Sequence, residues 1–135
     1  MKKDIFDEKF KKFTKDLVNK YRVMTFTGEY ELDIKFSSKN KDSRVADIAI
    51  ETKYLNGTLT VYKLGYEEYK KRGKEHYAKI ILHEICHLLT EPQYDDTLKL
   101  FGGKMLLRDT IEDTRERQTQ RITNALWQSM KNNNT

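Results

Sequence analysis

The chain has 135 residues, of which 35% are charged and 37% hydrophobic, and this length suits one domain with a compact core. No stretch approaches the roughly 20 apolar residues of a membrane span, and the N-terminus lacks the apolar region of a signal peptide. The single cysteine, Cys86, excludes an internal disulfide. We therefore expect a cytoplasmic protein that makes no membrane contact.

The net charge of +5 is mildly basic. Residues 1–22 contain eight Lys or Arg and four Asp or Glu, and a second basic cluster lies at residues 70–74. Weak attraction to nucleic acid is compatible with this charge. A solvated charged surface is favoured, because the charges are mixed and no nucleic-acid motif accompanies them.

The first half of the chain begins with a helical pattern and continues with strand patterns. Apolar residues recur at helical spacing over residues 3–21, which predicts an amphipathic helix. Residues 22–27 are rich in β-branched and aromatic side chains and predict a strand that stops at Gly28. Residues 30–36 alternate between apolar and polar and predict a second strand, followed by a polar loop at residues 37–43.

A predicted hairpin completes the sheet. Residues 45–54 alternate again, and Asn56-Gly57 is a strong signal for a two-residue turn. Residues 58–64 then predict the returning strand. We expect a small, mostly antiparallel sheet.

Helices dominate the second half. Residues 66–74 predict a short helix ended by Gly73, and residues 75–90 predict a longer one. Pro92 should end the longer helix, since the residue before a proline disfavours the α conformation.

The C-terminal segment completes the predicted domain. Residues 94–104 are expected to be irregular, with a hinge at Gly102-Gly103, and residues 111–130 to form a last helix. We expect a single α+β domain over residues 1–130 and a disordered tail at residues 131–135.

An H-E-x-x-H sequence occupies residues 83–87, inside the predicted 75–90 helix. His83 and His87 are one helical turn apart, so both imidazoles project from one face at a spacing that suits a tetrahedral Zn²⁺. Glu84 is rotated by about 100° and can reach a water on the metal without being a ligand. These are the minimum parts for metal-assisted peptide hydrolysis.

The residues around the motif strengthen this interpretation. Over residues 80–90, Glu84 is the only charged side chain, and a buried Glu between two His is costly unless something compensates it. The alternative is a polar cluster satisfied within the core. Cys86 lies on a different helical face, where a structural thiol is expected rather than a nucleophile or ligand.

The order of elements around the motif resembles the zincin metallopeptidases. Residues 82–92 and 116–122 look like the small, gluzincin-like metallopeptidases of phages and prophages. The resemblance implies a minimal fold with an N-terminal helix, a small sheet, the motif helix and a C-terminal helix. It also implies a zinc peptidase with Glu84 as general base and a peptide or protein as substrate, encoded by a phage and acting in the cytoplasm of the bacterial host.

A catalytic zinc needs a third protein ligand. Thr90 and Gln93 stand where the metzincin branch has Gly and His, which disfavours that branch. His76 lies two helical turns from His83, too far for the same metal. The gluzincin resemblance implies a Glu on a following helix instead.

Two glutamates satisfy that requirement. We prefer Glu116, because Thr119 supplies a small residue for packing beside the motif helix. Glu112 is the alternative third ligand, although a carboxylate in the first turn of a helix also favours the helix dipole. Three further acidic residues are kept open as ligands: Glu91, Asp95 and Asp96.

The resemblance also bears on substrate binding. Zincin-like architecture implies that an extended peptide pairs with a strand beside the motif helix, here expected to be residues 58–64. A donor that stabilises the transition state is also needed. Tyr94, Tyr66 and Tyr69 are candidates, although a tyrosine more often packs with its hydroxyl hydrogen-bonded.

Two other functions compete with the peptidase. One is a catalytically silent zinc-binding regulatory or interaction module, whose metal would be capped by a fourth side chain. The other is a nucleic-acid-associated protease, with which the basic N-terminal helix is compatible. The sequence carries no signal for an oligomeric state.

Overall fold

The computed structural model describes residues 4–101 and 105–133. The elements in chain order are α1 (Glu8–Met24), β1 (Glu31–Ser37), β2 (Ala46–Glu51), a 3₁₀ turn (Thr52–Tyr54), β3 (Asn56–Tyr62), α2 (Lys63–Arg72), α3 (Lys74–Phe101) and α4 (Met105–Asn133). The predicted α+β class is confirmed, with helices flanking one small sheet.

Helix α1 extends through Met24, so the strand predicted at residues 22–27 is wrong. Thr25 prolongs the helical bonding, because its N–H and its hydroxyl both donate to the carbonyl of Tyr21, at 2.9 and 2.8 Å. Phe26 then adopts a left-handed conformation, with φ of 56°, which ends the helix. Local hydrogen bonding outweighed the β propensity of this segment.

The three strands form a mixed sheet in the order β1-β3-β2. Strand β1 pairs with β3 in parallel, and β2 pairs with β3 antiparallel, with Ala46 opposite Val61. One of the two pairings is therefore parallel, where a mostly antiparallel sheet was expected. Since β3 is central, the expectation that residues 58–64 offer an edge to substrate is wrong, and β2 has an outer edge instead.

The reversal between β2 and β3 is longer than the predicted two-residue turn. Asn56 and Gly57 lie inside β3, and the chain turns through the 3₁₀ segment and Leu55, whose φ is 53°. A Cβ on Gly57 would meet the carbonyl of Ala49 at 3.0 Å. This glycine therefore allows β2 and β3 to approach each other closely and does not form a turn.

Helix α3 passes through Pro92, so the predicted end at this proline and the irregular segment that begins at residue 94 are both wrong. A proline removes one backbone hydrogen bond from a helix interior. Contacts with α4 on both sides of Pro92 compensate for this lost hydrogen bond. Arg115 pairs with Glu91, and Tyr94 donates a hydrogen bond to Glu112 at 2.9 Å.

Helix α4 begins at Met105, six residues before the predicted start, and runs to Asn133. Residues 131–133 of the predicted tail are therefore helical. The proposed hinge at Gly102-Gly103 and residues 134–135 lie outside the described residues.

The core is organised around α3, which contacts α1, α2, α4 and β2. Tyr77, Ile81, Leu82 and Ile85 are fully buried on this helix. No helix in the described ranges contains a stretch long and apolar enough to cross a membrane. The burial of α3 on several sides fixes the direction in which its polar face points.

Candidate metal centre

The motif histidines project from the polar face of α3. The ring centroids of His83 and His87 are 5.0 Å apart, and the rings are nearly perpendicular, at 85°. Their side chains are 20% and 9% exposed. Because buried residues anchor the neighbouring helical positions, both rings hold their place at the edge of the core.

Glu116 of α4 completes a group of three possible ligands. Its carboxylate oxygens lie 3.4 Å from Nε2 of His83 and 3.5 Å from Nε2 of His87. One ligand atom from each residue lies within 4.8 Å of the others. Zinc–ligand bonds of about 2.0–2.1 Å at tetrahedral angles separate ligand atoms by roughly 3.3–3.4 Å. The two His–Glu distances fit a zinc ion between these atoms.

The hydroxyl of Thr119 fixes how His87 presents its ring. Thr119 donates to the carbonyl of Arg115 at 2.8 Å, so its oxygen accepts from the Thr90 hydroxyl at 2.9 Å. The same oxygen lies 3.5 Å from Nδ1 of His87 and can accept its proton. This assigns the proton to Nδ1 and leaves a lone pair on Nε2, the form that binds a metal.

A carboxylate that faces this lone pair is unfavourable unless a proton or a metal cation lies between them. Burial also lowers the pKa of His87, which keeps its ring neutral and able to act as a ligand. Nδ1 of His83 is buried and has no hydrogen-bond partner among the described residues. The donor set, two imidazoles and a carboxylate, is one that zinc accepts.

Glu84 lines the same cleft as the three possible ligands. Burial raises the pKa of its carboxyl to about 8, and the negative charges of Glu116 and Asp47 act in the same direction. A bound cation opposes this shift, because a nearby positive charge favours the carboxylate. The proton affinity of Glu84 would therefore depend on whether a metal is bound beside it.

A cleft of about 490 Å³ opens over these residues, between α3, α4 and the segment that enters β2. The N–H of Tyr62 donates to the carbonyl of Val45 at 3.0 Å, so Val45 is bonded towards β3. Antiparallel pairing alternates along a strand. Ala46 and Ile48 therefore turn their N–H and C=O groups to the outer edge, and both line the cleft.

Arg115 connects the cleft to α3. One of its terminal nitrogens lies 3.1 and 3.3 Å from the two carboxylate oxygens of Glu91, and the other lies 3.4 Å from Glu116. Its guanidinium also lies 4.1 Å from the ring centre of Tyr94. Burial raises the pKa of Glu91, while the charge of Arg115 opposes that shift. Glu91 therefore lines the cleft but is engaged by arginine.

The other acidic candidates lie away from the group. Glu112 accepts a hydrogen bond from Tyr94 and pairs with Arg108 at 3.7 Å, so the structure does not bring it to the histidines. Asp95 accepts a hydrogen bond from Thr52 at 2.9 Å. Among the residues that the structure describes, the group of possible ligands contains His83, His87 and Glu116, without Asp96.

The three tyrosines considered as transition-state donors also lie elsewhere. The Tyr66 hydroxyl donates to Asp7 at 2.8 Å, and Tyr66 and Tyr69 pack around the ring of Phe10. The hydroxyl of Tyr94 is engaged by Glu112. None of the three is among the residues that line the metal cleft.

The remaining motif neighbours have structural roles. His76 lies 3.4 Å from Glu68, away from the possible ligands. Cys86 is fully buried and free, and burial raises the pKa of its thiol.

The sequence did not predict that Arg44 and Asp47 belong to the site. These residues line the cleft beside β2 and form an ion pair at 3.4 Å. Sequence spacing carries no signal for them, because tertiary packing brings β2 to α3.

No protein-family model matches the sequence, and no curated protein is significantly similar to it. Among solved structures, the chain is similar to the metallopeptidase zymogen of Methanocaldococcus jannaschii jannalysin. The identity is 19% and the TM-score 0.43, over 87% of this chain and 96% of that chain. At this level of similarity, function has to be argued from the site itself.

Proposed function

We propose that this protein is a zinc-dependent peptidase. The convergence of His83, His87 and Glu116 from two helices carries the proposal. Two neutral nitrogens and one carboxylate leave a coordination position for water or substrate, as catalytic zinc sites do. The open cleft over this position supports a catalytic rather than a purely structural metal.

Each residue has a defined part. Nε2 of His83, Nε2 of His87 and the Glu116 carboxylate would hold the zinc. When bound, zinc acidifies water and polarises a carbonyl, the chemistry that amide hydrolysis needs. The Glu84 carboxylate accepts the proton of the attacking water and returns it to the departing amine nitrogen. Thr119 holds the His87 ring in the tautomer that leaves Nε2 free.

The edge of β2 gives the proposed substrate a place to bind. An extended peptide can add to this edge through the outward N–H and C=O groups of Ala46 and Ile48. Both residues line the metal cleft, so such a peptide would pass beside Glu84. A peptide or unfolded protein segment is therefore the proposed substrate class.

The competing functions have less support. A silent zinc module would need a fourth side chain to cap the metal, and the described residues provide no fourth member of the ligand group. For a nucleic-acid ligand, the cleft has unsuitable charge. Acidic side chains in its lining outnumber the two arginines, Arg44 and Arg115, and this balance disfavours phosphates. The acidic side chains are those of Asp47, Glu84, Glu91 and Glu116.

The test compares zinc-loaded wild type with Glu84→Gln on fluorescein-labelled casein. We expect Glu84→Gln to keep its zinc and to lose cleavage by at least about 100-fold, because the base is removed and the ligands remain. Glu112→Gln is the matched control, as it changes an acidic side chain outside the ligand group. Undiminished cleavage by Glu84→Gln, or no cleavage by zinc-loaded wild type, would overturn the proposal.

A further inference from the structure

A second cleft of about 530 Å³ adjoins the metal cleft on the other side of His83. It lies between the first half of α3 and the second half of α4. His83 and Ile80 line both clefts. A peptide that crosses the candidate metal centre would therefore have a side chain within reach of this second cleft.

The apolar part of the second cleft consists of Ile80 and the indole of Trp127. Trp127 is the only tryptophan of the chain. Lys131 lies near this ring, with its ammonium 5.7 Å from the ring centre. The cleft can thus cover the methylene groups of a bound side chain.

The charged groups around the second cleft come from both helices. Lys131 pairs with Glu75 at 3.7 Å, and His76 faces Glu68 of α2 at 3.4 Å. Lys79 is half-buried, and within the described ranges it forms no ion pair. Its ammonium is therefore the cleft's available cation, one helical turn before His83.

We propose that the second cleft is a specificity subsite that accepts an acidic side chain of the substrate near the cleaved bond. The inference rests on the proposed peptidase function and names the substrate feature that it prefers. The carboxylate would pair with Lys79, while its methylene groups pack against Trp127 and Ile80. A partly desolvated charge pair of this kind discriminates against an uncharged side chain of equal size.

Binding can be measured without cleavage, because Trp127 fluorescence reports on the cleft directly. Zinc-loaded Glu84→Gln would be titrated with two blocked hexapeptides that differ only in a central Glu or Gln. We expect the Glu peptide to bind roughly three- to tenfold more tightly. In a Lys79→Met background the ratio of the two affinities should fall to about one, and Lys79→Glu should favour the Gln peptide.

Lys99→Met is the matched control, since it removes the same charge from the same helix about 30 Å away. It should retain the preference for Glu. The same pair of peptides, given to proteins that retain Glu84, tests the ratio of kcat/KM. If neither peptide is cleaved, the peptidase proposal fails. The ratio of the two binding affinities still tests the subsite proposal in that case. Equal binding of both peptides, or a preference that survives Lys79→Met, would overturn the subsite.

Discussion

The hydroxyl oxygen of Thr119 lies 3.5 Å from Nδ1 of His87, although the two residues are 32 positions apart in the chain. This contact joins the α4 backbone to a motif histidine through one side chain, because the same hydroxyl donates to the carbonyl of Arg115. Orientation of His87 and the position of α4 are therefore coupled.

Substituting Thr119 tests that coupling. In Thr119→Val the shape is kept, but His87 and Thr90 lose their acceptor, so zinc affinity should fall by about 10–100-fold. Thr119→Ser retains the hydroxyl and should stay close to wild type. Competition with a chromophoric zinc chelator measures both affinities. Equal affinities for the Val and Ser variants would show that the contact does not orient the ring.

Removing the proposed third ligand tests the composition of the centre. Glu116→Ala should lower zinc affinity by more than about 100-fold, because the loss of an outer-sphere partner alone costs 10–100-fold. Glu112→Ala removes the carboxylate that Tyr94 contacts and should keep one zinc per chain after dialysis. Elemental analysis of the two purified variants makes the comparison. If Glu112→Ala lost its zinc and Glu116→Ala kept it, Glu112 would be the third ligand instead.

The raised pKa of Glu84 predicts how the metal-free fold responds to pH. Its folded pKa of about 8 exceeds the ordinary value of 4.5, so burial favours the protonated form. The stability linked to this proton is fully present below pH 4.5 and is lost as the pH rises towards 8. In EDTA at pH 8, Glu84→Gln should therefore be more stable than wild type by about 4 kcal/mol.

Urea unfolding at pH 5 and at pH 8 measures this difference. Comparing the two proteins at each pH cancels the contributions of other groups that titrate, such as His87 and Glu91. The advantage of Glu84→Gln should be larger at pH 8 than at pH 5. An advantage that does not change with pH would contradict a buried, titrating Glu84.

Gly65 offers a test of the packing that positions the cleft. Replacing a helical glycine with alanine ordinarily stabilises a helix by up to about 1 kcal/mol. A Cβ on Gly65, however, would lie 2.6 Å from the carbonyl oxygen of Val45. Gly65→Ala should therefore lower the free energy of unfolding by about 1–3 kcal/mol, and displacement of Val45 should also reduce cleavage.

Gly28→Ala is the control for this substitution, since a Cβ there meets nothing within 4 Å. Its stability should remain within about 0.5 kcal/mol of wild type in the same urea titration. A stabilised Gly65→Ala would show that α2 and the Val45 segment are less closely packed than the structure has them.

Features that arise from local periodicity were predicted best from the sequence. The motif helix and the positions of His83 and His87 on one face follow from helical spacing. The preference for Glu116 over Glu112 needed the family resemblance as well, and the structure places only Glu116 beside the histidines.

Features that depend on tertiary contacts were missed or predicted wrongly. Pro92 looks like a helix end in isolation, whereas contacts between α3 and α4 carry the helix past it. The parallel pairing of β1 with β3 joins segments that are not consecutive strands, and nothing in their patterns specifies it. The cleft position of Asp47 follows from this topology and has no counterpart in sequence spacing.

The outer edge of β2 has a consequence for self-association. An unpaired strand edge is a template for another chain, and two copies of this protein could pair through it. The edge is short, six residues, and Arg44 and Asp47 place charges at its beginning. These are features with which proteins discourage such pairing. A strand edge that is proposed to bind a substrate must also resist pairing with other copies of the protein, so peptide binding should not weaken as the protein concentration rises.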